Sequence, residues 1–144
     1  MGVNKELKIA RFKTIGEDKI EFGCVEGNNV YSLIGDPLTT VEQGPFVAPL
    51  DKVKFMSPCV PKKIIAIAIN FPGIDGYSPA MSEPLVFIKP GTSVCNPRDV
   101  VVNPFPNLPW WGEAELAVVI KDTLRDASME QVGKGILGFT IGND

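Results

Sequence analysis

The run Lys63-Ile-Ile-Ala-Ile-Ala-Ile69 constrains the fold more than any other stretch of the chain. It is rich in β-branched residues and apolar at successive positions, so a strand built from it is apolar on both faces and reads as a buried central strand. Further strands are expected at Leu85–Lys89 (stopped by Pro90-Gly91), Val100–Asn103, Glu113–Ile120 and Ile136–Ile141. Prolines 104, 106 and 109 make a rigid loop that leads to Trp110-Trp111. Ser128-Met-Glu-Gln131 has the spacing of a capping box, which predicts a short helix that Gly133 and Gly135 end early. Upstream, Ile9–Phe12, Ile20–Val25 and Val30–Leu33 read as a small β unit. Glu26-Gly27-Asn28-Asn29 forms one of its hairpin turns, because Gly and Asn tolerate positive φ. Residues 35–61 contain Pro37, Pro45, Pro49, Pro58 and Pro61 and little periodicity, and read as an irregular connection with a boundary near residues 50–60. The expectation is a mainly β, mixed α+β chain with a small N-terminal β domain and linker over 1–55 and a second domain over 56–144.

With 144 residues there is room for one domain, or a small domain and part of another. The longest apolar run, Ile64–Ile69, is far short of the roughly 20 residues that a membrane helix needs. The N-terminus MGVNKELK lacks an apolar signal core, and Glu6 occupies the place where myristoylation needs Ser or Thr. A cytoplasmic location and no membrane partner are expected. The net charge of −3 and the absence of any basic cluster beyond Lys62-Lys63 argue against a nucleic-acid partner. Three cysteines, an odd number without a CxxC pair, argue against a disulfide framework; Cys24 and Cys59 read as buried thiols. Histidine is absent. Ser-His-Asp and Cys-His catalysis within the chain are therefore excluded, as are histidine-ligated zinc and iron sites. Acid–base chemistry would fall to carboxylates, Lys, Tyr, Cys or water.

Among those groups Glu113-Ala-Glu115 stands out, because residues i and i+2 of a strand share a face and the strand beyond is almost wholly apolar. Two neighbouring carboxylates beside a core are costly unless a positive charge sits between them, and a hard cation with a preference for oxygen ligands would meet that need. On the residues alone, a solvated strand end is the commoner use of such a pair. Asp144 is equally open to reading as a polar strand terminus.

Four segments in this order are similar to the fumarylacetoacetate hydrolase family: Pro61-Lys-Lys-Ile-Ile-Ala-Ile-Ala-Ile-Asn70-Phe71, Glu83-Pro-Leu-Val-Phe-Ile-Lys89-Pro90, Glu113-Ala-Glu-Leu-Ala-Val-Val-Ile120 and Gly138-Phe-Thr-Ile-Gly-Asn-Asp144. Lys8–Pro37 resembles the small domain that precedes the catalytic domain in many members. The resemblance implies a β-roll or mixed β-sandwich, usually dimeric. It implies that Glu113, Glu115 and Asp144 are ligands of Mg²⁺ or Mn²⁺, with Ca²⁺ as a possible substitute. It also implies a 2-oxo or β-diketo acid substrate whose enolate the cation stabilises in hydrolysis, isomerisation, decarboxylation or dehydration. Lys89 and Asn70 are the substrate-binding candidates that it implies.

Two departures from the family pattern matter. Many members continue after the Asn-aromatic pair with a His and a Glu that activate water; here Ile74 and Tyr77 occupy those places. That leaves the catalytic residue unknown, with Asp75 and Tyr77 as the groups at hand, although Pro72-Gly73 and Asp75-Gly76 already account for a turn. Chemistry that rests on enolate stabilisation gains over hydrolysis. Members also continue past the Gly-Asn-Asp turn, so an incomplete β-roll is expected, either a fragment or a chain needing a complementing partner. The alternative to an enzyme is a degenerate, noncatalytic subunit of the same fold.

Overall fold

Short apolar segments separated by turn residues fold into nine strands and one helix in a computed structural model that describes residues 7–39 and 41–144. The beginning of the expected N-terminal part, residues 1–6, and Thr40 lie outside the described residues. Strands β1 (Lys8–Thr14), β2 (Glu21–Glu26), β3 (Asn29–Gly35), β4 (Val41–Pro49) and β5 (Val53–Phe55) form an antiparallel sheet in the order β4-β3-β2-β1-β5. The β2–β3 turn falls where Gly27 takes a φ of +57°. Phe12, Val30, Ala48 and Val53 are buried together, and Val25, Val47, Leu50 and Phe55 pack around them.

The expectation of an irregular connection over 35–61 is corrected, because β4 and β5 lie within it. Prolines are tolerated there for a physical reason. β4 is an edge strand, and its pairing with β3 shifts between Val30/Tyr31 and Tyr31/Leu33, which accommodates Gly44-Pro45 where no ladder donor is required. The Ser32 hydroxyl donates to the Pro45 carbonyl at 3.3 Å in that stretch.

Beyond residue 60 come two hairpins. β6 (Lys63–Ala68) pairs with β7 (Leu85–Pro90), and β8 (Ala114–Ile120) pairs with β9 (Ile136–Asn143), both antiparallel. Helix α1 (Met129–Gly135) precedes β9 and starts at the expected capping box: Gln131 N–H donates to the Ser128 hydroxyl at 3.3 Å, and Ser128 N–H donates to Gln131 Oε1 at 2.8 Å. One irregularity interrupts the β8–β9 ladder, between Val119 and Ile120, where β9 has an extra residue. No helix among the described residues is long and apolar enough to cross a membrane.

Two further expectations are corrected. Lys63–Ala68 is a member of a two-stranded sheet rather than a buried central strand; Ile65 is 61% exposed because no described element covers that face. Val100–Asn103 forms no strand. Among the described residues no strand pairs with it, Val100 and Val102 are exposed, and Asn103 Oδ1 accepts from Phe105 N–H at 2.8 Å, starting a turn ahead of the prolines.

A polar clip links the segment after β5 to residues 96–99. Asn96 Oδ1 accepts from Ser57 N–H at 3.0 Å. Asn96 itself is held by Asp99, whose Oδ2 accepts from its backbone and side-chain nitrogens at 3.0 and 2.8 Å, and Lys54 Nζ donates to Asp99 Oδ1 at 3.2 Å. The Asn96 donors, with Lys54 adding to them, hold the Asp99 carboxyl below its ordinary value of 3.8. A depressed folded-state value means that the clip's contribution is present above pH 3.8 and is lost as the pH falls through the lower folded value. The protection factor of the Ser57 amide is therefore expected to drop in that acid range and to lose the drop in Asp99→Asn. A protection factor independent of acid in the wild type would contradict this.

Candidate metal centre

Directly opposed residues of an antiparallel pair project to the same face of the sheet. Glu113 and Asp144 extend the β8–β9 ladder by one such pair: Glu113 N–H donates to the Asp144 carbonyl at 2.8 Å, and Asp144 N–H donates to the Glu113 carbonyl at 2.9 Å. Glu115 lies two residues further along and so shares that face. Its own partner across the ladder is Gly142, where an added Cβ would meet nothing within 4 Å. Three carboxylates thus project from one end of one sheet face, with open space beside the second glutamate. Like charges placed this way oppose folding unless they are compensated.

Two donors answer them. Trp111 Nε1–H donates to Glu113 Oε1 at 2.6 Å. The Lys89 ammonium, reaching from β7, forms an ion pair with the Asp144 carboxylate. Glu115 is exposed.

A cavity of about 490 Å³ opens over these groups and takes Glu113, Glu115, Asp144 and Asn70 into its wall. The rest of the wall is apolar and largely aromatic, with Phe71, Phe87, Trp110 and Trp111 prominent. The approach of Asn70 depends on a backbone feature with no sequence signal. Ile69, directly after β6, has a φ of +52°, a region that β-branched residues rarely adopt and that costs roughly 1–2 kcal/mol. Ile69, Asn70 and Phe71 all line the cavity.

Of the residues expected from the sequence, the cavity therefore collects Glu113, Glu115, Asp144 and Asn70, while Lys89 joins through Asp144. Asp75 and Tyr77 are not in its wall; they belong to the turn in which Gly73 and Gly76 have positive φ and Tyr77 N–H donates to the Ile74 carbonyl at 3.1 Å. Ile74, at the place where the family resemblance would put a histidine, does line the cavity. Sequence reasoning missed the Trp111–Glu113 hydrogen bond and the role of Gly142. The first was findable from an indole donor two residues before the glutamate. The second follows only once the strand register is known.

The donor set is all oxygen and negatively charged, which suits a hard divalent cation. In the present side-chain positions no three Asp, Glu or Cys residues among the described residues are gathered closely enough to hold a metal. The carboxylates of Glu113 and Asp144 point at Trp111 and Lys89 instead.

Residues 63–144 match the model of the fumarylacetoacetate hydrolase C-terminal family, and residues 7–58 match an N-terminal domain family named for Rv2993c. An uncharacterised protein of Archaeoglobus fulgidus is 38% identical over 103 residues, covering 69% of this chain and 40% of its own. Oxaloacetate tautomerase YcgM of Escherichia coli is 42% identical over 62 residues, covering 43% of this chain and 28% of its own. The crystal structure of 2-hydroxyhepta-2,4-diene-1,7-dioate isomerase from Mycobacterium marinum superposes with a TM-score of 0.79 at 26% identity, over 96% of this chain and 54% of that one. The chain thus spans well under half the length of these curated relatives, and about half of the solved structure.

Proposed function

The chain belongs to the fumarylacetoacetate hydrolase family, and from that premise we propose that it forms the metal-binding part of an enzyme acting on a 2-oxo or β-diketo acid. The observation behind this reading is the convergence of Glu113, Glu115 and Asp144 on one sheet face and in one cavity wall. These three residues would hold Mg²⁺ or Mn²⁺, with Ca²⁺ as a substitute. When bound, such a cation supplies Lewis-acid stabilisation of an enolate.

The chain's own residues supply the rest. Asn70 offers a carboxamide donor to a substrate oxygen beside the apolar and aromatic residues of the cavity wall. Ile74 can neither accept nor release a proton, so the place of the histidine in a water-activating His-Glu pair supplies no base here. Tautomerisation, isomerisation or decarboxylation is favoured over hydrolysis for that reason. The similar proteins include a hydrolase as well as a tautomerase and an isomerase, so the preference rests on the wall residues alone.

The noncatalytic reading is favoured by a different observation, the engagement of Glu113 and Asp144 by Trp111 and Lys89. Manganese separates the two. Saturating Mn²⁺ is expected to raise the melting temperature, since a ligand at a hundred times its Kd adds about 2.7 kcal/mol. EDTA is expected to stop metal-dependent turnover of oxaloacetate, acylpyruvates or 2-keto-3-deoxy acids. A melting temperature indifferent to millimolar Mn²⁺ would leave the noncatalytic reading standing.

A further inference from the structure

Lys89 holds a position that its neighbours do not explain as packing. It lies on β7 opposite Ile64, yet its ammonium reaches the other hairpin and pairs with Asp144, whose side chain is only 22% exposed. The cavity wall contains no Lys or Arg. Lys89 is thus the cation that balances part of a three-carboxylate face, and it does so at a carboxylate that a divalent cation would need. Oxygen ligands of Mg²⁺ lie about 2.0–2.1 Å from the ion, a distance at which an ammonium on the same carboxylate is strongly repelled. With the divalent cation on one Asp144 oxygen and the ammonium on the other, the two repel at close range, so Lys89 weakens the hold of Asp144 on the metal.

We propose that Lys89 is an internal counterion that competes with the divalent cation for Asp144 and thereby sets the metal affinity of the site. The proposal rests on the metal reading above and adds a residue to it. Without metal, the Lys89 ammonium offsets the mutual repulsion of Glu113, Glu115 and Asp144. Metal entry displaces it, and the displaced charge on its flexible stem is then free to meet an anion. Trp111 has no such role, because the N–H it offers to Glu113 is neutral and does not repel a cation.

The test is calorimetric titration of the full chain with MnCl₂, checked by the electron paramagnetic resonance signal of free Mn²⁺. Lys89→Met is expected to bind Mn²⁺ about fivefold more tightly than the wild type, and to melt at a lower temperature without metal. Lys89→Gln serves as a second uncharged variant with the same expectation, should the methionine variant fail to fold. Lys89→Arg retains the charge and is expected to keep wild-type affinity. Equal or weaker binding by the folded uncharged variants would overturn the competition while leaving the metal site intact. Absence of Mn²⁺ binding by wild type and variants alike would sink the metal site itself, and the competition with it.

Discussion

Replacing Glu115 by Gln is expected to abolish the response to Mn²⁺ while leaving the metal-free chain at least as stable as the wild type. The two halves of that result have different causes. Without metal, Glu115 is exposed, faces Gly142 across the ladder and adds a third negative charge to a crowded face, so neutralising it relieves repulsion. With metal, a charged ligand is missing. Loss of a mere supporting hydrogen bond to a ligand typically costs about 10- to 100-fold in affinity, so loss of the ligand is expected to cost more than about 100-fold. Melting curves with and without Mn²⁺ read both effects at once. Glu113→Gln should lose the metal response too, but it also disturbs the acceptor of the Trp111 N–H. A Glu115→Gln variant whose melting temperature still climbs with Mn²⁺ would contradict the assignment of this residue.

Phe12→Ala is expected to destabilise the N-terminal sheet by about 3–5 kcal/mol. Phe12 is 1% exposed, and its strand β1 lies between β2 and β5. The ring lies over Gly23, where an added Cβ would come within 2.7 Å of Phe12 Cε1 and 2.4 Å of the Tyr31 carbonyl oxygen. Truncation leaves a hole in the cluster that Phe12 forms with Val30, Ala48 and Val53. Against a typical domain stability of about 5–15 kcal/mol, the loss is large. Urea unfolding monitored by circular dichroism should show the midpoint falling with the slope unchanged. A change below about 1 kcal/mol would show that the sheet repacks around the hole.

Much of the fold is written locally. The β2–β3 turn is legible because Gly27 tolerates the positive φ it takes, and α1 because Ser128 and Gln131 cap each other within four residues. What escaped the sequence depended on neighbours. Gly44-Pro45 looks like a strand breaker until β4 is known to be an edge strand with a shifted pairing. Val100–Asn103 has the composition of a strand but no partner. The Ile-rich run has the pattern of a buried strand, whereas the described residues cover only part of it. The same division holds at the site. Glu113 and Glu115 share a face by spacing alone, and Asp144 entered through the family resemblance. That Lys89 reaches Asp144 from the other hairpin, and that Ile69 turns the chain so that Asn70 meets the cavity, are long-range or strained features with no local signature.

The bulge between Val119 and Ile120 decides which of two adjacent side chains accompanies the glutamates. Strand faces alternate, so the identity of that third group is a matter of odd and even counting. With the bulge in place, Asp144 lands opposite Glu113; were every β9 residue paired in turn without it, Asn143 would take that seat and the acid would turn to the apolar side. Single-residue insertions and deletions between the bulge and the site should therefore be far more damaging than substitutions there, and changes of two residues less damaging than changes of one.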